Sequence, residues 1–248
     1  MHNKMKNAMG LMIAFLCLGT ASCEKSAVGP DTTSNQNGVV KGKVTDTKGN
    51  PIPNAKVVIE NTVFLASYVY ATTNAEGNYT ASVPNGSWKA SVQIERQFEG
   101  INYKFDLCPD NDDPFAGTDG AIRNFKWKLA GPRPGGSGFF GGNVVLYTEP
   151  GSPFNAGDVE LTLTPVGPLV DGTQGQPITT STVDVGGGED GIPDVPLGKY
   201  KITAINKTTD QPLEVRLRNT GEYAPSLTTV FKSGFTGVTT YQVVVQVK

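Results

Sequence analysis

Hydrophobic and polar residues alternate with a period of two along most of this chain, the pattern of half-buried β-strands. It begins at Gly38 and predicts strands over Val39–Thr45, Ala55–Glu60, Leu65–Thr73, Asn78–Val83 and Ser87–Val92. Clusters rich in Gly, Asn and Pro separate them: Asp46–Pro51, Asn74–Gly77 and Pro84–Gly86. Trp88, Ala90 and Val92 share one face of their strand. Tyr103–Asp106 and Gly120–Leu129 continue the series, with Phe125, Trp127 and Leu129 alternating against Asn124, Lys126 and Lys128. A second set follows over Asn143–Thr148, Val159–Thr164, Ile178–Val185, Lys199–Ile205, Leu213–Arg218 and Thr239–Val247. No window of ten or more residues after Cys23 carries helical periodicity. The expectation is an all-β protein: two tandem antiparallel β-sandwiches over 38–130 and 139–248, joined by a Gly/Pro linker over 131–138.

The N-terminus follows another pattern. Lys4 and Lys6 precede an apolar run from Ala8 to Leu18, and the small residues Gly19 to Ser22 lead into Cys23. This order describes a secretory signal peptide over 1–22, too short to span a bilayer. Ala21-Ser22-Cys23 resembles the lipobox of bacterial lipoproteins, which departs from it at Thr20, where that motif usually has leucine. The resemblance implies lipid (palmitate) attachment at Cys23; ordinary cleavage near Ala21 or Ser22, with Cys23 a bystander, is the alternative. Residues 23–37 are rich in Ser, Thr, Asn, Gly and Asp, and predict a flexible tether. Glu24 is not the aspartate linked to inner-membrane retention, which favours the outer membrane within a cell-envelope location.

Composition narrows the chemistry. Thirty glycines and seventeen prolines suit many short strands and tight turns. Loss of Lys4 and Lys6 takes the formal charge from −2 to −2 − 2 = −4, so nothing basic argues for nucleic acid. The single histidine is His2, inside the signal peptide, which removes histidine triads, histidine acid–base chemistry and histidine metal ligands from the mature chain. Cys17 leaves with the signal and Cys23 would be lipidated, so Cys108 is expected to stand alone, with no intrachain disulfide. A protein without catalytic residues or cofactors is the expectation.

The stretch GKVTDTKGNPIPNAKVVIE, followed by TTNAEGNYTASVPNG, resembles the carboxypeptidase-regulatory-like family. Gly42, Val44, Asp46, Gly49, Pro51, Ile52, Ala55 and Val57 carry the first part of that pattern, and Thr73, Gly77 and Tyr79 the second. The resemblance implies a seven-stranded, transthyretin-like sandwich, grouped with starch-binding-like folds and used as an accessory or interaction module. Its residues are framework: Gly49 and Gly77 for turns, Tyr79 and Ala55 packed inward. The segment Val83–Ala90 recurs as Val195–Ile202, each a Pro-x-Gly turn opening a strand with an aromatic second residue. That suggests two related sandwiches; a generic Ig-like second domain is the alternative.

The expected function is a structural or protein-interaction module of the cell envelope, held to the membrane by its lipid and meeting an envelope protein partner or a glycan. Carbohydrate binding is the alternative, with Trp88, Trp127 and Tyr103, and beside them Tyr68 and Phe139-Phe140, as aromatic candidates. An adhesin-like stalk closed by a Lys43–Asn124 isopeptide bond is a minor one, although the flanking motifs do not match. Asp110, Asp112 and Asp113 form an oxygen-rich run that calcium would accept, but without EF-hand spacing; a solvated acidic loop is the default. The glycine-rich Gly186–Gly191 leads into no helix, so it reads as a hairpin loop, not a phosphate cradle.

Overall fold

Alternation at period two builds two sandwiches in a computed structural model that describes residues 37–234 and 240–248. The signal peptide, Cys23 and the tether up to residue 36 lie outside the described residues. In the first sandwich the principal strands are β1 (Val39–Thr45), β2 (Lys56–Asn61), β3 (Tyr68–Thr72), β4 (Asn78–Ser82), β5 (Ser87–Phe98), β6 (Ile101–Asp106), β7 (Cys108–Pro109) and β8 (Phe125–Lys126). They form one sheet in the order β4-β1-β8-β7 and a second in the order β3-β2-β5-β6. Short strands at Ala121–Ile122 and Phe115–Ala116 add to β1 and β5.

The second sandwich uses β9 (Gly142–Thr148), β10 (Val159–Pro165), β11 (Ile178–Ser181), β12 (Asp190–Val195), β13 (Lys199–Asn206), β14 (Gln211–Leu213), β15 (Val215–Leu217), β16 (Thr220–Ala224) and β17 (Tyr241–Val247). Its sheets run β12-β9-β17-β15-β16 and β11-β10-β13-β14. This repeats the first plan. The opening strand of each sandwich lies between an antiparallel partner (β4 or β12) and a late strand that returns parallel to it (β8 or β17). The parallel pairs refine the purely antiparallel expectation. They are possible because the opening and late strands of each sandwich are far apart in sequence, so no hairpin joins the two and sets their relative direction.

The repeated segment matches in its chemistry too. Trp88 Nε1 donates to the Pro84 carbonyl at 2.9 Å, and Tyr200 Oη donates to the Pro196 carbonyl, also at 2.9 Å. Each aromatic is buried at the start of its strand and ties that strand to the turn before it.

The inward faces of all four sheets merge into one continuous core. The segment 131–138, with the composition of a linker, is held on both sides. Gly131 N–H donates to Asp194, Arg133 pairs with Asp106 at 2.9 Å, and Pro132 bridges to Phe139. Asp194 can reach it because β12 is interrupted by a bulge at Pro193–Asp194, where Asp194 takes a φ of 58°.

Candidate functional site

The three aromatic candidates for stacking on a sugar are all core residues. Trp88 is 2 % exposed on the inward face of β5. Trp127 is 3 % exposed, its ring 5.1 Å from Phe105, with the Arg96 guanidinium 5.3 Å over it. Tyr103 is 1 % exposed; its hydroxyl donates to the Phe231 carbonyl at 2.7 Å, and burial, reinforced by Tyr241 and Glu99, pushes its pKa up to about 12. A ring enclosed on both faces offers no platform, so the expectation of a sugar site at these residues is corrected. Tyr103 instead seals the boundary between the sandwiches. Phe140 is buried as well, under the Arg133 guanidinium at 4.8 Å.

The surface that remains lies on the β2–β3 hairpin and the outer face of its sheet. Val63 and Phe64 are each 69 % exposed and Leu65 is 97 % exposed, three consecutive large apolar side chains at the hairpin tip. The Asn61 side chain shapes that tip by accepting the backbone N–H groups of Val63 and Phe64, both at 2.9 Å, and Ala66 turns the chain with a φ of 57°. Tyr68 and Tyr70 follow on the edge strand β3, both pointing outward and largely exposed. Their rings are 6.0 Å apart and only 26° from parallel, and Lys56 Nζ lies 4.3 Å over the Tyr70 ring. Beyond Lys56 and Val58 the same face falls into an open cleft of about 620 Å³, walled on its far side by Arg133 and Phe140.

The model of the carboxypeptidase regulatory-like domain matches residues 39–100. The first sandwich carries a carboxypeptidase regulatory-like domain. Its motif positions are framework, as the resemblance implies. Gly49 and Gly77 turn the chain with φ of 89° and 76°, and Tyr79 and Ala55 are buried. Thr73 Oγ1 donates to the Ile52 carbonyl and accepts the Ala55 N–H, which clamps the Pro51–Ala55 segment to the end of β3. The exposed hairpin tip and the tyrosine pair fall inside this domain but at none of its motif positions.

No curated protein sequence matches the chain. Similar solved structures include a DUF3823 family protein of Parabacteroides merdae, at 11 % identity and TM-score 0.27, covering 78 % of this chain and 98 % of that one. A C-terminal fragment of the pilus adhesin SpaC of Lactobacillus rhamnosus shows 9 % identity and TM-score 0.26, over 86 % and 98 %. A candidate carbohydrate binding protein of Pseudomonas aeruginosa shows 15 % identity and TM-score 0.23, over 39 % and 92 %.

The remaining candidates of the regulatory-like sandwich are engaged elsewhere. Asp110 accepts the backbone and side-chain N–H of Asn124 at 3.0 and 2.8 Å, and Asp112 pairs with Lys89 at 2.8 Å. Asp110, Asp112 and Asp113 do not converge on one point, and among the described residues no group of three acidic, histidine or cysteine side chains could hold a metal. The calcium candidacy is corrected accordingly. Lys43 is exposed, and the Asn124 amide is spent on Asp110 and on the Lys43 backbone N–H at 2.9 Å, an arrangement without the enclosure an isopeptide bond needs. Cys108 is buried; the two cysteines on which the expectation of no intrachain disulfide turns, Cys17 and Cys23, lie outside the described residues.

Proposed function

We propose that this protein is a non-catalytic accessory module of the cell envelope, anchored by lipid at Cys23, with the outer membrane favoured, and docked to a protein partner through the β2–β3 hairpin. The observation that carries the docking is the run Val63-Phe64-Leu65, which leaves three large apolar side chains in water. Burying each would return about 2 kcal/mol, so a monomer gains nothing from the arrangement. Runs of this kind mark interaction sites. The lack of histidine after residue 2 supports the non-catalytic part, and the Ala21-Ser22-Cys23 sequence supports the anchor.

A photo-crosslinking residue placed at Leu65 in living cells tests the docking. One discrete adduct is expected there and none from the same residue at Gly187, in the exposed loop of the second sandwich. Absence of an adduct at Leu65 would sink the docking. Metabolic labelling with a palmitate analogue tests the anchor: label is expected in the unaltered protein and not in Cys23→Ala.

A second reading, carbohydrate capture, is favoured by one observation. Tyr68 and Tyr70 present two exposed, nearly parallel rings, the arrangement that the buried tryptophans cannot offer. The readings are compatible, since the hairpin tip and the sheet face are different surfaces of one domain.

A further inference from the structure

We infer that the outer face of the β3-β2-β5-β6 sheet binds a neutral polysaccharide chain, stacked on Tyr68 and Tyr70 and led over Lys56 and Val58 into the cleft beside Ser91 and Gln93. This rests on the carbohydrate reading and gives it a place and a ligand class. Three features of the face fix that class.

First, the apolar component is ring faces. Residues two apart on a strand lie about 6.8 Å apart on one side of a sheet, and here the two tyrosine rings stand 6.0 Å apart and nearly parallel. Successive sugars of a chain have apolar C–H faces that suit such a ledge. Because β3 is the edge strand, the ledge is open at the side and can pass a long chain instead of enclosing one residue.

Second, the charges around the cleft are paired, Lys56 excepted. Lys89 pairs with Asp112 at 2.8 Å, Arg133 with Asp106 at 2.9 Å and Lys104 with Glu95 at 3.4 Å. Lys56 is the cation nearest the ledge, and it rests over the Tyr70 ring. A polyanion would find no cluster of uncompensated cations, and a cation no acidic cluster. Neutral hydroxyls, by contrast, can bond to the outer atoms of these pairs without breaking them.

Third, the floor offers short polar groups. Ser91 and Gln93 both line it, and the Gln93 amide donates to Asp106 at 2.8 Å. The cleft is shallow and open, which suits a strand of polymer lying across strands β2 and β5 better than a compact apolar ligand.

The test is affinity electrophoresis of the full protein, purified in detergent, through gels containing starch, a β-glucan, a galactomannan or xylan, with polygalacturonate as the anionic control. Retardation by at least one neutral polymer and not by polygalacturonate is expected. Tyr70→Ala should weaken it at least tenfold, as should Ser91→Trp, which fills the cleft; Leu65→Ser, at the hairpin tip, should leave it unchanged. Thermal melting checks that each variant is folded, and Gln93→Ala serves if Ser91→Trp is not. No retardation by any neutral polymer overturns both this site and the carbohydrate reading. Retardation that survives Tyr70→Ala together with Gln93→Ala overturns the site and leaves the reading. Retardation by polygalacturonate alone overturns the ligand class.

Discussion

Tyr103 and Tyr241 meet with ring centres 4.9 Å apart at the boundary between the two sandwiches. Each also ties its hydroxyl to the other side: Tyr103 donates to the Phe231 carbonyl, and Tyr241 accepts the Lys104 N–H at 2.6 Å while donating to the Lys104 carbonyl at 3.0 Å. With the two cores continuous through these rings, the sandwiches should unfold together. Calorimetry is expected to show one transition, and Tyr241→Ala, by removing a buried ring, should cost about 3–5 kcal/mol and lower that transition as a whole. Two resolved transitions, of which only one moves, would refute the coupling.

The hydrogen bonds of Trp88 to Pro84 and of Tyr200 to Pro196 predict matched energetics in the two halves. Trp88→Phe and Tyr200→Phe each leave a proline carbonyl without its donor, at a cost of about 1 kcal/mol for the bond. The tryptophan change adds a loss of volume, so its effect should be the larger. Urea unfolding measures both. If Tyr200→Phe were neutral while Trp88→Phe was costly, the shared turn chemistry would contribute only to the first sandwich.

Asp194 gives the protein a pH signature. Burial raises its pKa above the ordinary 3.8, opposed by the N–H groups of Gly131 and Gly141 that donate to its carboxylate. The folded protein therefore holds this proton at pH values where the unfolded chain has released it. Stability should fall as pH rises from 3.8 through the raised folded value, and the slope should shrink in Asp194→Asn. Asparagine tolerates the φ of 58° at this position, so the substitution tests the charge and not the backbone. Asp46 has the opposite sign. Burial works against its carboxylate, but the bonds from Asn50, Lys48 and Gly49 outweigh it and lower the pKa. Its contribution is complete above 3.8 and is lost as pH falls through the lower folded value. Melting temperature against pH for Asp194→Asn and Asp46→Asn separates the two.

Alternation revealed strand positions and inward faces well, because sheet packing depends on little else. It could not show that Tyr103 lies against the neighbouring sandwich or that Trp127 packs on Phe105 within its own, so both stood as candidate platforms beside the reading of them as core. Nor did it mark the exposed Tyr70, which in sequence looks like any aromatic in a strand. The single strand expected over Gly120–Leu129 is two short ones, because the chain bends at Arg123 to put its carbonyl under the Tyr79 hydroxyl, a contact from 44 residues away. The strand Asp190–Val195 was hidden by Gly191 and Pro193, residues that usually signal a loop. Its glycine is there for space: a Cβ at Gly191 would lie 2.1 Å from the Val144 carbonyl oxygen.

The same reasoning makes Gly42 the least replaceable motif position of the regulatory-like domain. A Cβ there would sit 1.8 Å from the Arg123 carbonyl oxygen and 3.1 Å from the Tyr79 ring, at the point where β1 meets the parallel return of the chain. Neither neighbour can withdraw, since the Arg123 carbonyl is held by the Tyr79 hydroxyl at 2.7 Å and the Arg123 N–H by the Lys41 carbonyl at 2.9 Å. Gly42→Ala should therefore cost about 3 kcal/mol, the upper range for overpacking a close contact. Gly49→Ala is the control, because a Cβ there meets nothing within 4 Å and pays only for a φ of 89°, about 1–2 kcal/mol. Chemical denaturation of the two variants ranks them. If Gly49→Ala proved the more damaging, turn conformation and not the close approach of β1 to Arg123 would be what this part of the motif protects.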